Sequence, residues 1–223
     1  MISLSKRLKT VANFVLKSKS NAIIDVGCDH ALLDIYLLQN NDSLRIIASD
    51  NKKAPLENAR KNIEKYSFLN KIELCLKDGI VDMDKNIDTV VISGMGMETI
   101  VDILNNGIDE LKHVNRLILS SNNKYEDLRN KICKLGFYIK DEKIIYEYKK
   151  YYIVIEFVKG IKRYTKKELY FGPILLKNKD ELFKNYYSNI KFKKESIAKK
   201  IENNDKKVSK LLKEIELLNE EIK

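Results

Sequence analysis

The sequence of 223 residues is poor in the residues that stabilise a chain without a hydrophobic core. Its three cysteines, Cys28, Cys75 and Cys133, lie far apart and form no Cys-x-x-Cys pair. That spacing excludes a disulfide scaffold and a zinc knuckle, and it makes a reducing, cytoplasmic setting the expectation. No metal is expected. No window approaches the ~18 apolar residues of a membrane-spanning helix, so no membrane is expected either. Charge interrupts Met1-Ile2-Ser3-Leu4-Ser5-Lys6-Arg7 before any long apolar core develops, so this stretch is not read as a signal peptide. Only two histidines occur, of which His113 reads as an ordinary surface position.

Glycine is also scarce, with eight in the chain, and its placement is informative. Ala22-Ile23-Ile24-Asp25-Val26 is an apolar, β-branched run, followed by Gly27-Cys28-Asp29-His30-Ala31 and a helical pattern from Leu32. Strand, tight loop and helix make the opening unit of a doubly wound nucleotide-binding sheet. The dinucleotide fingerprint needs Gly-x-Gly-x-x-Gly there. This loop keeps only Gly27 and puts Asp29 where the second glycine belongs. A carboxylate beside the loop amides opposes a pyrophosphate but accepts a ligand with an amino-acid end, a ribose and no phosphate. S-adenosylmethionine is such a ligand.

Further units follow. Strands are predicted at Leu44–Ser49, Ile72–Leu76, Thr89–Ile92 and Arg116–Leu119, alternating with helices over about 31–40, from Pro55 through Tyr66, through Ile100–Leu104 and over about 124–135. Ser93-Gly94-Met95-Gly96 reads as a flexible loop after the fourth strand. Phe137–Tyr148 and Tyr151–Val158, joined only by Lys149-Lys150, make an antiparallel hairpin. Five βα units closed by a hairpin describe an α/β fold of the class I methyltransferase (Rossmann-like) type, a seven-stranded sheet with one reversed strand. Beyond Gly172-Pro173 the chain is helical in pattern from about 177. Apolar stripes on either side of Asn203-Asn204-Asp205 predict a C-terminal antiparallel helical coiled hairpin. The division expected is a cofactor-binding domain over 1–160 and a basic helical domain over 161–223.

Net charge is +10. Residues 161–223 carry 17 Lys/Arg against 10 Asp/Glu, and the first 160 carry 25 against 22. The surplus favours a polyanionic partner. The alternative is a compositional bias toward Lys, Asn and Ile, with only six arginines. Acids end successive strands: Asp25 and Asp29, then Asp50 with Asn51, then Asp78 with Gly79. A carboxylate ending the second strand is placed for ribose hydroxyls. Asp78 suits the adenine amino group, and Asp29 the cationic end of the ligand. Singly, each acid reads more readily as a helix cap or a solvated turn residue, and it is the three in register on one edge that favour the ligand. His30 is a candidate general base or a helix-start residue.

Ser5-Lys6-Arg7-Leu8, Asp25-Val26-Gly27-Cys28-Asp29-His30-Ala31, Gly94-Met95-Gly96, Asn122 after strand five and Gly172-Pro173, in that order, resemble the bacterial tRNA (adenine-22-N1)-methyltransferases. The resemblance covers nearly the whole chain. It implies S-adenosylmethionine-dependent methylation of a tRNA adenine by a cytoplasmic enzyme, expected here as a monomer. Candidate cofactor residues are Asp25, Gly27, Cys28, Asp29, Asp50, Asn51, Asp78, Gly79, Gly94 and Met95. Candidate catalytic residues are Asp29, His30 and Asn122. Candidate RNA contacts are Lys6, Arg7, Lys191, Lys193, Lys194, Lys199 and Lys200. The chain departs from the family pattern at Leu32-Leu33-Asp34, where relatives carry an aromatic and a proline, at Met97, and at Ser120-Ser121. A methyltransferase for another RNA, a protein or a small molecule, or a non-catalytic RNA-binding adaptor, is the alternative. A basic helical tail with no RNA to hold argues against a protein or small-molecule substrate, and the intact acids at the strand ends argue against the adaptor.

Overall fold

The computed structural model describes residues 2–199 and 205–223, with side chains from Val208 onward in the second span. Seven strands form one sheet: β1 Ala22–Val26, β2 Arg45–Asp50, β3 Ile72–Leu76, β4 Thr89–Met95, β5 Arg116–Ser121, β6 Phe137–Glu147 and β7 Lys150–Lys159. Their spatial order is β3-β2-β1-β4-β5-β7-β6. The first five run parallel, and β7 is antiparallel to both β5 and β6. This is the class I methyltransferase arrangement. The chain reverses between β1 and β4, and ligands bind in the crevice at such a reversal, outside the carboxyl ends of the strands.

The period-2 alternation of the strands sorts their side chains into two cores. Ile23, Val91, Ile118 and Val154 face one side, packed with α1 (Lys6–Ser18), α2 (Leu32–Asn40) and α3 (Lys53–Lys65). Ile24, Val90, Leu117 and Ile155 face the other, under α4 (Met97–Asn106) and α5 (Tyr125–Lys134). Burial on both faces is why these strands read as continuous apolar runs.

Three local expectations are corrected. The stretch Ser93–Met95 is not a free loop: it continues β4, with a shift of register against β5 between Ser93 and Met95. The hairpin turn is Tyr148-Lys149, one residue earlier than expected, with φ of 49° and 61°. Positive φ at both central positions gives the twist that a two-residue hairpin needs. Helix also begins well before 177, with α6 at Lys166–Phe171 and α7 at Pro173–Asn178. A capping box between Thr165 and Glu168 starts α6, and Pro173 stands at the first position of α7.

Helices α8 (Glu181–Ala198) and α9 (Asp205–Ile222) complete the chain. Lys184 donates to the Lys223 carbonyl and Lys194 pairs with Glu214, so the two run antiparallel. Their connection lies outside the described residues. The core does not stop at residue 160: Phe171, Leu175, Phe183, Tyr187 and Leu218 belong to the same buried cluster as Val90 and Leu117. A fully buried ion pair fixes this junction. Arg129 Nε donates to Glu142 Oε1 at 2.6 Å, and Arg129 Nη1 donates to the Leu169 and Tyr170 carbonyls. Gly172 packs so tightly on this pair that a Cβ would strike both partners.

Candidate active site

The loop after β1 is closed from within. The amides of Gly27 and Cys28 both donate to the Ser49 carbonyl of β2, at 2.8 and 3.0 Å. Gly27 has φ +78°, and a Cβ there would collide with the Met95 methyl. Asp29 and Ala31 take left-handed backbone at φ 50° and 52° without being glycine. Such conformations cost energy and persist only where surrounding structure imposes them. Across the crevice Gly94, at φ +89°, faces the Arg7 guanidinium, which fills the space a side chain would need.

These elements enclose a cavity of about 450 Å³. Asp25, Asp29 and Asp50 supply its negative charge, and Arg7 and Lys52 its positive charge. Gly27, Cys28, His30, Asn51, Gly94 and Met95 also line it. Asp25 is 5% exposed, and burial together with the Asp50 charge pushes its carboxyl up to about 7. One Asp50 oxygen accepts the Lys52 amide at 3.0 Å. Burial and the neighbouring carboxylates push the Cys28 thiol upward, so it is no nucleophile at neutral pH. Asp29 is exposed, and its Oδ2 lies 3.6 Å from His30 Nε2.

Other predicted residues stand apart from this lining. Asp78 is exposed and meets the cavity only through Asn51, whose side-chain nitrogen donates to it at 3.4 Å. Gly79 turns at φ +73° against Ile103. Asn122 donates its side-chain N–H to the Gly94 carbonyl at 2.6 Å and its backbone N–H to the Met95 carbonyl at 2.9 Å. Its side chain opens on a second recess of about 1040 Å³, bounded by α5, the β6–β7 hairpin and α8. Of the lysines, Lys193 and Lys194 line that recess, Lys191 pairs with Glu195 at 3.7 Å, and Lys199 is exposed at the end of α8. Lys200 lies outside the described residues. Lys6 is exposed, with its backbone N–H donating to Glu147. Arg7, read from the sequence as an RNA contact, lines the smaller cavity and lies over the Tyr152 ring at 5.1 Å.

Two residues carry too little signal to be found from the sequence. Ser93 lines the cavity with a buried hydroxyl that has no partner, and its only signal is a polar residue ending an apolar strand. Asp34 is fully buried in α2 with both oxygens unpartnered, and burial and Asp25 push its carboxyl well above the usual range. It is the lone acid in a helix that is otherwise mostly apolar, and nothing in the sequence marks it as buried. Among the described residues no cluster of three or more His, Cys, Asp or Glu could hold a metal ion.

The lining favours a ligand with cationic and hydroxyl groups over a polyphosphate. The family model described as TrmK, tRNA (adenine(22)-N(1))-methyltransferase, matches residues 23–220. The tRNA (adenine(22)-N(1))-methyltransferase of Bacillus subtilis is 30% identical, over 99% of this chain and 98% of its own. A Streptococcus pneumoniae structure in complex with S-adenosyl-L-methionine superposes with a TM-score of 0.90 at 30% identity, covering 99% of this chain and 100% of its own. The M. capricolum TrmK structure in complex with S-adenosyl-homocysteine gives 0.87 at 32% identity, over 98% of this chain and 97% of its own.

Proposed function

The chain belongs to the tRNA (adenine(22)-N(1))-methyltransferase family, and on that premise we propose that it methylates N1 of an adenine in tRNA, at position 22, with S-adenosylmethionine as donor. The observation that carries this at the site is the convergence of Asp25, Asp29 and Asp50 on one cavity with no phosphate cradle. The cofactor fits that lining. Among the described residues no side-chain cation pairs with Asp25, so a ligand ammonium would relieve the charge that burial opposes. Asp50, with one oxygen on the Lys52 amide, keeps the other for ribose hydroxyls. Asp78, bonded to Asn51, is assigned the adenine edge, with Gly79 beside it. Gly27, Cys28, Gly94 and Met95 shape the walls, and Ser93 adds a free hydroxyl.

When bound, S-adenosylmethionine supplies an electrophilic methyl on a sulfonium. Adenine N1 already carries a lone pair, so no residue has to remove a proton to create the nucleophile. The protein's task is to position the two groups and exclude water, which can lower a barrier by ~7–11 kcal/mol. Methylation leaves the base cationic. Asp29, at the cavity mouth beside His30, supplies the opposing charge. Asn122 spends its N–H on Gly94, which leaves its carbonyl oxygen to accept from the exocyclic amino group. N1 is engaged in base pairs, so the base must leave its stack to react.

We assign the chemistry to residues 1–160 and the grip on RNA to 161–223 together with Lys6. The site is complete in one chain, which supports action as a monomer, and a tRNA substrate supports a cytoplasmic location. No described helix is long and apolar enough to cross a membrane. Incubation with methyl-labelled cofactor and unmodified tRNA, followed by mapping of the label, tests the function. The expected product is 1-methyladenosine at position 22, and label at another atom or none overturns it.

A further inference from the structure

The larger recess touches the proposed chemistry only at Asn122, and its lining has a character of its own. One wall is aromatic. The Tyr146 and Tyr151 ring centroids lie 4.6 Å apart, and those of Tyr151 and Tyr186 5.4 Å apart. Among the described residues no protein hydrogen bond occupies the hydroxyls of these three, whereas those of Tyr125 and Tyr187 both bond to backbone. The rim is basic. Lys149 and Lys150 on the hairpin and Lys193 on α8 are exposed and pair with no carboxylate among the described residues. Glu126 and Asp127, in the first turn of α5, complete the lining, and burial with the Asp127 and Glu214 charges pushes the Glu126 carboxyl up.

We propose that this groove holds unpaired nucleotides of the RNA substrate next to the methylated adenine, with bases on the Tyr146–Tyr151–Tyr186 wall and phosphates along Lys149, Lys150 and Lys193. The proposal rests on the RNA-methylating function above and adds a binding subsite to it. Aromatic faces stack any base, and basic residues track the backbone; together they are the means by which proteins hold single strands. The acids settle the orientation. A phosphate beside Glu126 and Asp127 would be repelled, whereas the amino groups on base edges would find acceptors there. Flipping one base from a stem or a tertiary contact also leaves its neighbours without a stacking partner. The groove adjoins the cofactor cavity, because Tyr152 lines the one and Arg7, stacked on it, lines the other. An acidic peptide would use the lysines but has no need of the tyrosine wall.

The test uses the full chain, with labelled single-stranded hexaadenylate and unmodified tRNA as probes and cofactor titration as the control for folding. Tyr146→Leu with Tyr151→Leu should weaken both probes about tenfold, the scale of a lost base–aromatic stack, while cofactor affinity holds. The corresponding pair of Phe substitutions keeps the stacking face and should bind like the parent. Lys149→Gln with Lys150→Gln should lower the hexamer's salt slope by about 0.7 for each phosphate that is no longer neutralised. If the Leu pair does not fold, the lysine pair, at the exposed end of the hairpin, carries the test. Unchanged hexamer affinity in the Leu pair, or equal loss in the Phe pair, overturns the proposal. So does a polyglutamate peptide that binds as tightly as hexaadenylate and ignores the Leu pair. A parent protein that binds hexaadenylate through these residues yet methylates no tRNA refutes the proposed function and keeps the groove. Normal tRNA methylation with no effect of any groove variant on tRNA affinity refutes the groove and keeps the function.

Discussion

The two recesses on either side of Asn122 are built from opposite chemistry. The smaller one lies on the ends of parallel strands buried on both faces, and three carboxylates dominate its charge. The larger one is walled by a hairpin and by helices, and tyrosines and lysines dominate it. A net charge of +10 describes neither. The contrast follows the charges of the reaction. A cationic cofactor needs carboxylates and a polyanionic RNA needs lysines; in the mechanism we propose, the positive charge passes from one to the other where Asp29 and Asn122 stand. The small site draws its rigidity from the sheet, whereas the groove depends on how firmly α8 is held to it.

The largest effect falls on that dependence. The buried Arg129–Glu142 pair ties α5 and β6 to the carbonyls at the end of α6. Arg129→Ala leaves Glu142 charged and unpaired in the core, which should cost ~3–5 kcal/mol in urea unfolding. Replacing both partners, Arg129→Met with Glu142→Leu, should recover most of that loss. A single mutant as stable as the parent would show that the pair anchors nothing.

The next effect falls on the small site alone. Asp50→Ala should weaken cofactor binding by ~1.5–3 kcal/mol, the scale of a charged hydrogen bond, while the salt dependence of tRNA binding stays as it was. Calorimetry that finds unchanged cofactor affinity in a folded variant removes Asp50 from the site. A parallel loss of tRNA affinity would show that the two recesses are not separate.

How far this contrast is legible in the sequence depends on which force sets each element. Strands such as Ile46–Ala48 and Val90–Ile92 are buried on both faces, so their apolar runs announce them. The continuation of β4 through Ser93–Met95 does not show, because serine and glycine signal a loop and only pairing with β5 keeps them in the sheet. Helices α6 and α7 are six residues each, too short for a periodic signal, and Phe171 and Leu175 hold them through tertiary packing. The strand-end acids of the small site are visible because topology brings strand ends together. The groove is not, since Tyr146, Lys150 and Tyr186 come from segments that only the folded tail brings into contact.

Asp25 in the lining of the small site and Asp34 behind it in α2 are both buried acids. Asp25 and Asp34 keep their protons to higher pH in the folded chain than the ordinary 3.8, Asp25 up to about 7. The unfolded chain therefore binds fewer protons in that interval, and stability should fall as pH rises from about 4 toward 7. Asp34 has no hydrogen-bond partner to offset ionisation. Asp34→Leu should raise stability at pH 7 by ~1–3 kcal/mol and flatten the decline, leaving the part due to Asp25. Urea titrations across this range check it, and an unchanged slope in the variant would show that Asp34 gives up its proton at the same pH in the folded chain as in the unfolded one.

The smallest effect distinguishes lysines within the tail. Lys193 faces the groove with no carboxylate partner among the described residues, whereas Lys191 and Lys194 already meet Glu195 and Glu214. A lysine held by a phosphate displaces counterions and adds to the slope of log K against log salt, by about 0.9 on a duplex and about 0.7 on a single strand. A lysine with a carboxylate neighbour must give up that partner first. Both pairs sit half-buried at the surface, where an ion pair is worth only ~0–1 kcal/mol, so the competition weakens the hold on phosphate without abolishing it. Lys193→Gln should therefore lower the tRNA salt slope by most of one phosphate's share, Lys199→Gln by no more than that, and Lys191→Gln or Lys194→Gln by clearly less. Glutamine keeps helix propensity, so α8 itself is not put at risk. Equal drops at all of these positions would mean that the ion pairs yield to RNA and that the whole face of α8 acts as one electrostatic surface. No drop at Lys193 would confine the RNA contacts to the hairpin lysines.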